Sequence, residues 1–548
     1  MEKERNLQNN ERVNLDTILK NDIGQFGRFQ LRMVGLAALI VVFIGWSTSE
    51  YLFTVARINT RCLIPECENR EDATFSPSWV LNAIPASGSS FDNCQRFAES
   101  EIISNLTNEV CPTEMFNRDR LINCDKFVYE NTYSVVYEFN LACDEWRRTL
   151  VGSMRTLGTL AALPIIGFIS DRWGRRAAVV VSSINAAWLG LTRYWVNTYT
   201  GFLILQVVES MFGSGGFSSF YIFLMETTGP KYRVVAGALM NTFFAVGQMT
   251  TGLIAWAVPD WRNLTLTLYI PQFLAIVYLW IMPESARWYI SKGRYDEAEN
   301  VLKKAARINK KELSINSLQA LRHSAEEEKR INEILEIQKT QEPCLAVQVF
   351  RHKPILIRVI VSPIWWITST LIYYGLSINS VHMVGNRYLN FVLVSAVEIP
   401  GYWTSMFLMG KVGRKPVLIG AYWVCALCQI GYVFMPDGLY GVSLTIYLIG
   451  KFSISMVISA IYIYTSELYP TKHRHSLFAF SSMIGRIGSI LAPLTPALGA
   501  AVWDQLPFVL FGSFALLSGA LVMITPETLG TKLPDTMTEA SEIGKISD

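Results

Sequence analysis

Gly167-Phe168-Ile169-Ser170-Asp171-Arg172-Trp173-Gly174-Arg175-Arg176 joins two apolar runs, and a thinner copy, Gly410-Lys411-Val412-Gly413-Arg414-Lys415, recurs about 240 residues later. In each case a membrane-length segment ends, a basic turn follows, and another apolar segment begins. Gly167 and Gly174 allow close backbone approach and a tight turn. Asp171 and the arginines suit neighbouring helix ends, because a carboxylate favours an N-terminus and a cation a C-terminus. Two further echoes share nearly the same offset. Glu226-Thr227-Thr228-Gly229-Pro230-Lys231-Tyr232-Arg233 matches Glu467-Leu468-Tyr469-Pro470-Thr471-Lys472-His473-Arg474, and Pro283-Glu284-Ser285 matches Pro526-Glu527-Thr528. Three pairs at one offset indicate two halves in the same orientation, an arrangement in which substrate binds between the halves near the bilayer midplane.

Composition agrees. Charged residues are 17% of the chain, against roughly 25% in soluble proteins, and hydrophobic residues are 51%. The charge is segregated into loops and tails, leaving runs suited to lipid. The expected fold is an all-α membrane protein of twelve transmembrane helices in two parallel six-helix halves, with a disulfide-rich extracellular loop domain. Spans are expected near 31–53, 149–170, 177–196, 200–225, 236–258 and 264–283 in the N-terminal half (31–283). In the C-terminal half (355–525) they fall near 355–377, 388–410, 416–435, 440–466, 476–501 and 506–525. Residues 1–30 read as a polar tail without an apolar signal region, amphipathic near Val13–Phe29. Residues 284–354 carry helical periodicity with i,i+4 charge pairs and read as a cytosolic linker, and 526–548 form a second tail. The basic turns all fall on one side of such a bundle, which places both termini in the cytosol.

Six of the nine cysteines (Cys62, Cys67, Cys94, Cys111, Cys124 and Cys143) lie in residues 54–148, with the sequon Asn105-Leu106-Thr107. Both point to an oxidising, extracellular setting with disulfides and glycosylation. Six cysteines allow 15 pairings, and spacing does not choose among them. Zinc binding there would need a Cys-x-x-Cys pair or histidine, and neither occurs. Cys425 and Cys428 lie in an apolar helix and read as packing residues. The net charge of +3 follows topology and implies no nucleic-acid partner. Gly-x-Ser-x-Gly, His-Glu-x-x-His and P-loop motifs are all lacking, so neither an enzyme, a metal nor a cofactor is expected.

The opening loop follows the Gly-x-x-x-Asp-Arg-x-Gly-Arg-Arg signature of the major facilitator superfamily. With the cysteine loop, Pro283-Glu284-Ser285-Ala286-Arg287-Trp288 and Tyr464-Thr465-Ser466-Glu467-Leu468-Tyr469-Pro470-Thr471 narrow the resemblance. The chain resembles the organic ion transporters of solute carrier family 22, and within them the organic cation and carnitine branch, in an invertebrate form. The resemblance implies a plasma-membrane carrier moving small organic ions by alternating access, with the lipid bilayer and a small organic cation or zwitterion as its partners. It leaves the coupling ion and oligomeric state open.

Charge inside a membrane span is costly and usually functional. Glu398, in Ser395-Ala396-Val397-Glu398-Ile399-Pro400, matches a family acid in the eighth helix that would attract an ammonium group. The plainer alternative is a helix–helix ion pair, and Pro400 bends this helix in either case. The resemblance places Trp366 and Tyr373 on the cavity face of the seventh helix, beside Tyr374. Aromatic faces hold alkylated ammonium by cation–π attraction, about 0.5–2 kcal/mol each. Phe217 and Tyr221, four apart, share a helix face and would close the cage, with Tyr462 and Tyr464 as weaker candidates. Each of these aromatics is otherwise a packing residue. Arg486 stands where cation transporters carry aspartate and the anion and carnitine branches carry arginine. The anion branch also carries a lysine in the eighth helix, at the position of Tyr402 here. One acid and one arginine suggest a zwitterion site, ammonium near Glu398 and carboxylate near Arg486; the plainer alternative is that the two pair with each other when empty.

Asp171, Arg172, Arg175, Arg176, Glu226, Arg233, Glu284, Arg287, Glu467, Arg474 and Glu527 lie at expected cytosolic helix ends and read as a latch on the outward-facing state. Two rival readings remain: an organic anion exchanger using Arg486, and a receptor-like protein that carries nothing.

Overall fold

A computed structural model describes residues 15–69, 72–87, 90–100, 111–339, 344–436, 438–531, 534 and 536–544. The sequon at Asn105 lies outside the described residues. The long helices of the first half are α1 (Arg28–Ser49), α2 (Glu145–Trp173), α3 (Arg175–Thr192), α4 (Tyr199–Gly213), α5 (Gly216–Thr227), α6 (Arg233–Ala257) and α7 (Trp261–Tyr269). A linker helix, α8 (Tyr295–Asn309), follows. The second half comprises α9 (Lys353–Asn379), α10 (Arg387–Ala396), α11 (Glu398–Lys411), α12 (Arg414–Val433), α13 (Tyr440–Glu467), α14 (Arg474–Leu491) and α15 (Leu506–Met523), with a short C-terminal α16 (Met537–Glu542). Nine helical stretches among the described residues are long and apolar enough to cross a membrane. Helices α3, α4 with α5, and α6 occupy the other three expected positions.

Several expected spans are not single helices, and proline or glycine marks each break. Proline lacks the N–H that continues the helical ladder. The segment holding Pro271 becomes 3₁₀ helix over Ile270–Val277, Ala492–Leu494 does the same around Pro493, and the expected 388–410 helix breaks at Val397, three residues before Pro400. The 200–225 span is interrupted at Ser214 and Gly215, where a side chain would strike Ile166 of α2.

Within each half, helices approach to backbone contact. A side chain on Gly247 of α6 would meet the Val42 carbonyl of α1, and one on Gly488 of α14 would meet the Ile367 carbonyl of α9. Between the halves the contacts are different. Phe53 stacks on Tyr388 and sits edge-on to Phe391, Trp256 stacks on Tyr388, and Arg387 donates to the Arg57 carbonyl at 3.2 Å. Ser153 donates to the Ile490 carbonyl (2.8 Å) and Trp403 to Thr242 (3.1 Å). The hydrogen bonds and ring contacts described between the halves all lie from mid-bundle to the end bearing the cysteine loop.

The loop itself is three two-stranded antiparallel pairs: Thr60–Cys62 with Phe127–Tyr129, Ala86–Ser87 with Ser90–Phe91, and Gln95–Glu99 with Phe116–Asn123. Disulfides join Cys62 to Cys124, Cys67 to Cys111 and Cys94 to Cys143, resolving the pairing that spacing left open. The third ties this domain to the chain just before α2.

Candidate functional site

The break at Val397 makes Glu398 the first residue of α11, where the free N–H groups and helix dipole favour a carboxylate. Its Oε2 accepts the hydroxyls of Tyr373 (2.6 Å) and Tyr402 (2.9 Å). Its Oε1 meets the Lys451 ammonium of α13 at 2.8 Å, with both side chains 0% exposed. That contact is ionic without an aligned hydrogen bond. Lys451 instead donates to the Tyr373 carbonyl (2.8 Å) and Ser377 Oγ (2.7 Å), with its nitrogen 3.7 Å from the Tyr373 ring centre. Removing two charges from water is repaid in part by hydrogen bonds, which the tyrosines give Glu398 Oε2 and α9 gives Lys451, while Glu398 Oε1 has the ammonium alone.

The alternative pairing of Glu398 with Arg486 does not form here. The carboxylate's ionic partner is Lys451, a residue that the sequence reading passed over. Its signal was present: Lys451 is a lone charge in the apolar run Ile449-Gly450-Lys451-Phe452, the same criterion that singled out Glu398.

Gly485 and Gly488 seat α14 on the Trp366–Leu371 stretch of α9, where Thr370 Oγ1 donates to the Gly485 carbonyl (2.6 Å). Arg486 therefore falls beside the Tyr374 hydroxyl, half-buried and with no ion pair among the described residues. The aromatics divide into two layers. Trp366 and Tyr373 are buried, Trp366 donating to Thr465 Oγ1 (3.1 Å) with the Tyr462 and Phe478 rings both roughly perpendicular to its own. Tyr374 and Phe217 are half-buried, while Tyr221 and Tyr462 are exposed. Phe217 and Tyr221 lie nearly parallel at 6.3 Å. Tyr464 donates to the Pro526 carbonyl (2.7 Å) and is a packing residue.

A second buried charge network, in the first half, was also passed over. Arg155 of α2 holds Glu209 of α4 at 2.6 Å and Gln206 at 3.0 Å. Arg193 joins Glu209 (3.5 Å) to Glu50 (2.9 Å), and its guanidinium lies over the Tyr269 ring. The four charges cancel.

The basic-turn residues gather into two repeat-related clusters. Arg175 pairs with Asp171 (2.8 Å) and Glu226 (3.1 Å), while Glu284 accepts the N–H groups of Arg175 (2.8 Å), Arg176 (3.1 Å) and Ser285 (2.9 Å). In the second half Arg414 pairs with Glu467 (3.1 Å), and Glu527 accepts the N–H groups of Arg414 (3.0 Å) and Lys415 (2.9 Å). Burial pushes the Glu284 carboxyl above its usual range despite those donors. Glu527 is less enclosed, so its four N–H donors prevail over burial and hold it below that range. Asp16 bridges Arg233 (2.5 Å) and Arg287 (2.7 Å), Arg474 donates to Thr471 (3.2 Å), and Arg172 is exposed. Each cluster closes within its own half.

Two repeat-related helical halves enclosing intramembrane charge define a multi-pass membrane carrier. A Major Facilitator Superfamily model matches residues 146–493. The chain is 30% identical to an organic cation transporter protein of Drosophila melanogaster over 95% of its own length and 94% of the relative's. It is also 30% identical to human solute carrier family 22 member 2, over 96% and 95% of the two chains. The inward open xylose transporter of E. coli superposes with a TM-score of 0.60 at 14% identity, covering 92% of this chain and 98% of that one. The chain belongs to solute carrier family 22 of the major facilitator superfamily, a family of secondary carriers rather than enzymes.

Proposed function

We propose that this protein moves small organic cations or zwitterions, carnitine-like compounds included, across the plasma membrane by alternating access, with both termini in the cytosol. The carrying observation is that a buried carboxylate, Glu398, and an arginine, Arg486, with no ion pair among the described residues, are linked through the adjacent Tyr373 and Tyr374. In this reading Glu398 anchors an ammonium group, the aromatics hold its alkyl substituents, and the Arg486 fork receives a carboxylate. Halves 31–283 and 355–525 rock about the aromatic contacts near the loop domain. The Asp171, Glu226 and Glu284 cluster and its repeat latch the basic-turn end when the carrier faces outward. Relatives named for organic cation transport support the substrate class.

One observation favours a second reading. Lys451 neutralises Glu398, while Arg486 has no ion pair among the described residues, which suits an organic anion. Uptake of labelled tetraethylammonium and a labelled betaine, in wild type, Glu398→Gln and Arg486→Gln, separates the two. Loss of betaine uptake alone in Arg486→Gln supports the zwitterion site. Anion uptake indifferent to Glu398→Gln supports the second reading.

A further inference from the structure

We propose that Lys451 is a resident counter-ion that competes with the transported cation for Glu398 and so drives its release. The inference rests on the reading of Glu398 as the ammonium anchor. The Lys451 nitrogen already makes every contact an alkylammonium would seek there. It has a carboxylate oxygen at 2.8 Å, a tyrosine ring at 3.7 Å, a backbone carbonyl at 2.8 Å and a hydroxyl at 2.7 Å.

The way the hydrogen bonds are distributed makes this contact replaceable. Lys451 keeps two aligned acceptors on α9 that do not involve Glu398, and Glu398 keeps two tyrosine donors that do not involve Lys451. Parting the pair therefore leaves each group with hydrogen bonds of its own, and an incoming cation takes over the charge on Glu398 that would otherwise be left uncompensated. Glu398 Oε1 has no aligned donor, so it retains acceptor capacity for an incoming cation. A tethered ammonium acts at an effective concentration no free substrate reaches, so it displaces a weakly held cation.

The test is tetraethylammonium uptake at matched surface abundance in Lys451→Gln, Lys451→Arg and Glu398→Gln. Expected results are a KM about tenfold lower in Lys451→Gln together with a lower maximal rate, because binding tightens while release slows. Lys451→Arg stays near wild type. If Lys451→Gln fails to reach the surface, tetraethylammonium binding to purified Lys451→Met reads the same tightening. An unchanged or raised KM in Lys451→Gln, with KM still raised by Glu398→Gln, overturns the proposal but leaves the anchor standing. Indifference to Glu398→Gln overturns both. Full recovery of uptake in the swapped pair Glu398→Lys with Lys451→Glu also overturns it, since only a structural pair tolerates exchange.

Discussion

Changing Glu209 to glutamine removes one charge from a buried network of four that sums to zero. Arg155 then loses its only carboxylate among the described residues, and Arg193 keeps Glu50. Breaking a buried pair from one side costs about 3–5 kcal/mol. A helix loose in lipid also finds polar partners, so the lower end applies, about 3 kcal/mol. That is roughly a hundredfold in the folded-to-unfolded ratio. Arg155→Gln should cost a similar amount for the opposite reason, leaving Glu209 with Arg193 as its only cation. The double variant restores neutrality and lets two amides bond to each other, so its cost falls to about 1 kcal/mol. Denaturant titration in mixed micelles, followed by tryptophan fluorescence, measures all three. A double variant as unstable as the sum of the singles would refute the reasoning, because the pair would then not act as a unit.

Arg358 donates to the Ala540 carbonyl at 2.6 Å and the Leu468 carbonyl at 3.2 Å, holding α16 against the bundle. Arg358→Met should loosen it by about 2 kcal/mol, seen as roughly thirtyfold faster proteolysis within residues 536–544. Gly488→Ala drives a methyl into the Ile367 carbonyl and should lower stability by about 1–3 kcal/mol; a melting temperature equal to wild type contradicts the packing described. On acidification Glu284 protonates first, above the ordinary 4.5, since its folded pKa is raised. Glu527 is depressed, so its clasp persists until pH falls through a window below 4.5. Hydrogen exchange, corrected for intrinsic rate, should show the Arg175 and Arg176 amides losing protection at higher pH than those of Arg414 and Lys415.

The repeat was legible because its elements are local: a glycine turn, flanking arginines and a glutamate that caps a helix, each written within ten residues and then written again. Helix breaks were half-legible. Pro400 announced a bend, but that the break falls at Val397 and puts Glu398 on a helix N-terminus depends on how α10 and α11 pack. The aromatic layers were legible as candidates only, since spacing gives a helix face and not its depth. The partner of Glu398 could not be read from spacing, because α11 and α13 are separate helices and periodicity says nothing about which residues meet across them. Lys451, Arg155, Glu209 and Arg193 were nonetheless visible as charges within or at the ends of apolar runs. Their presence was legible in the sequence, while their company was not.

Linker helix α8 belongs physically to the first half: Asn309 accepts the Phe29 N–H at 2.7 Å and donates to the Ile23 carbonyl at 3.0 Å, and Leu302 is buried in the core that includes α1. Beyond Cys344 the chain changes allegiance, with Val349 buried among Ile355, Tyr469 and Leu477 of the second half. The covalent join is thus not what registers the two halves on each other. Two separately translated polypeptides, ending and beginning between Lys339 and Cys344, should find one another in the same membrane and reconstitute a working carrier.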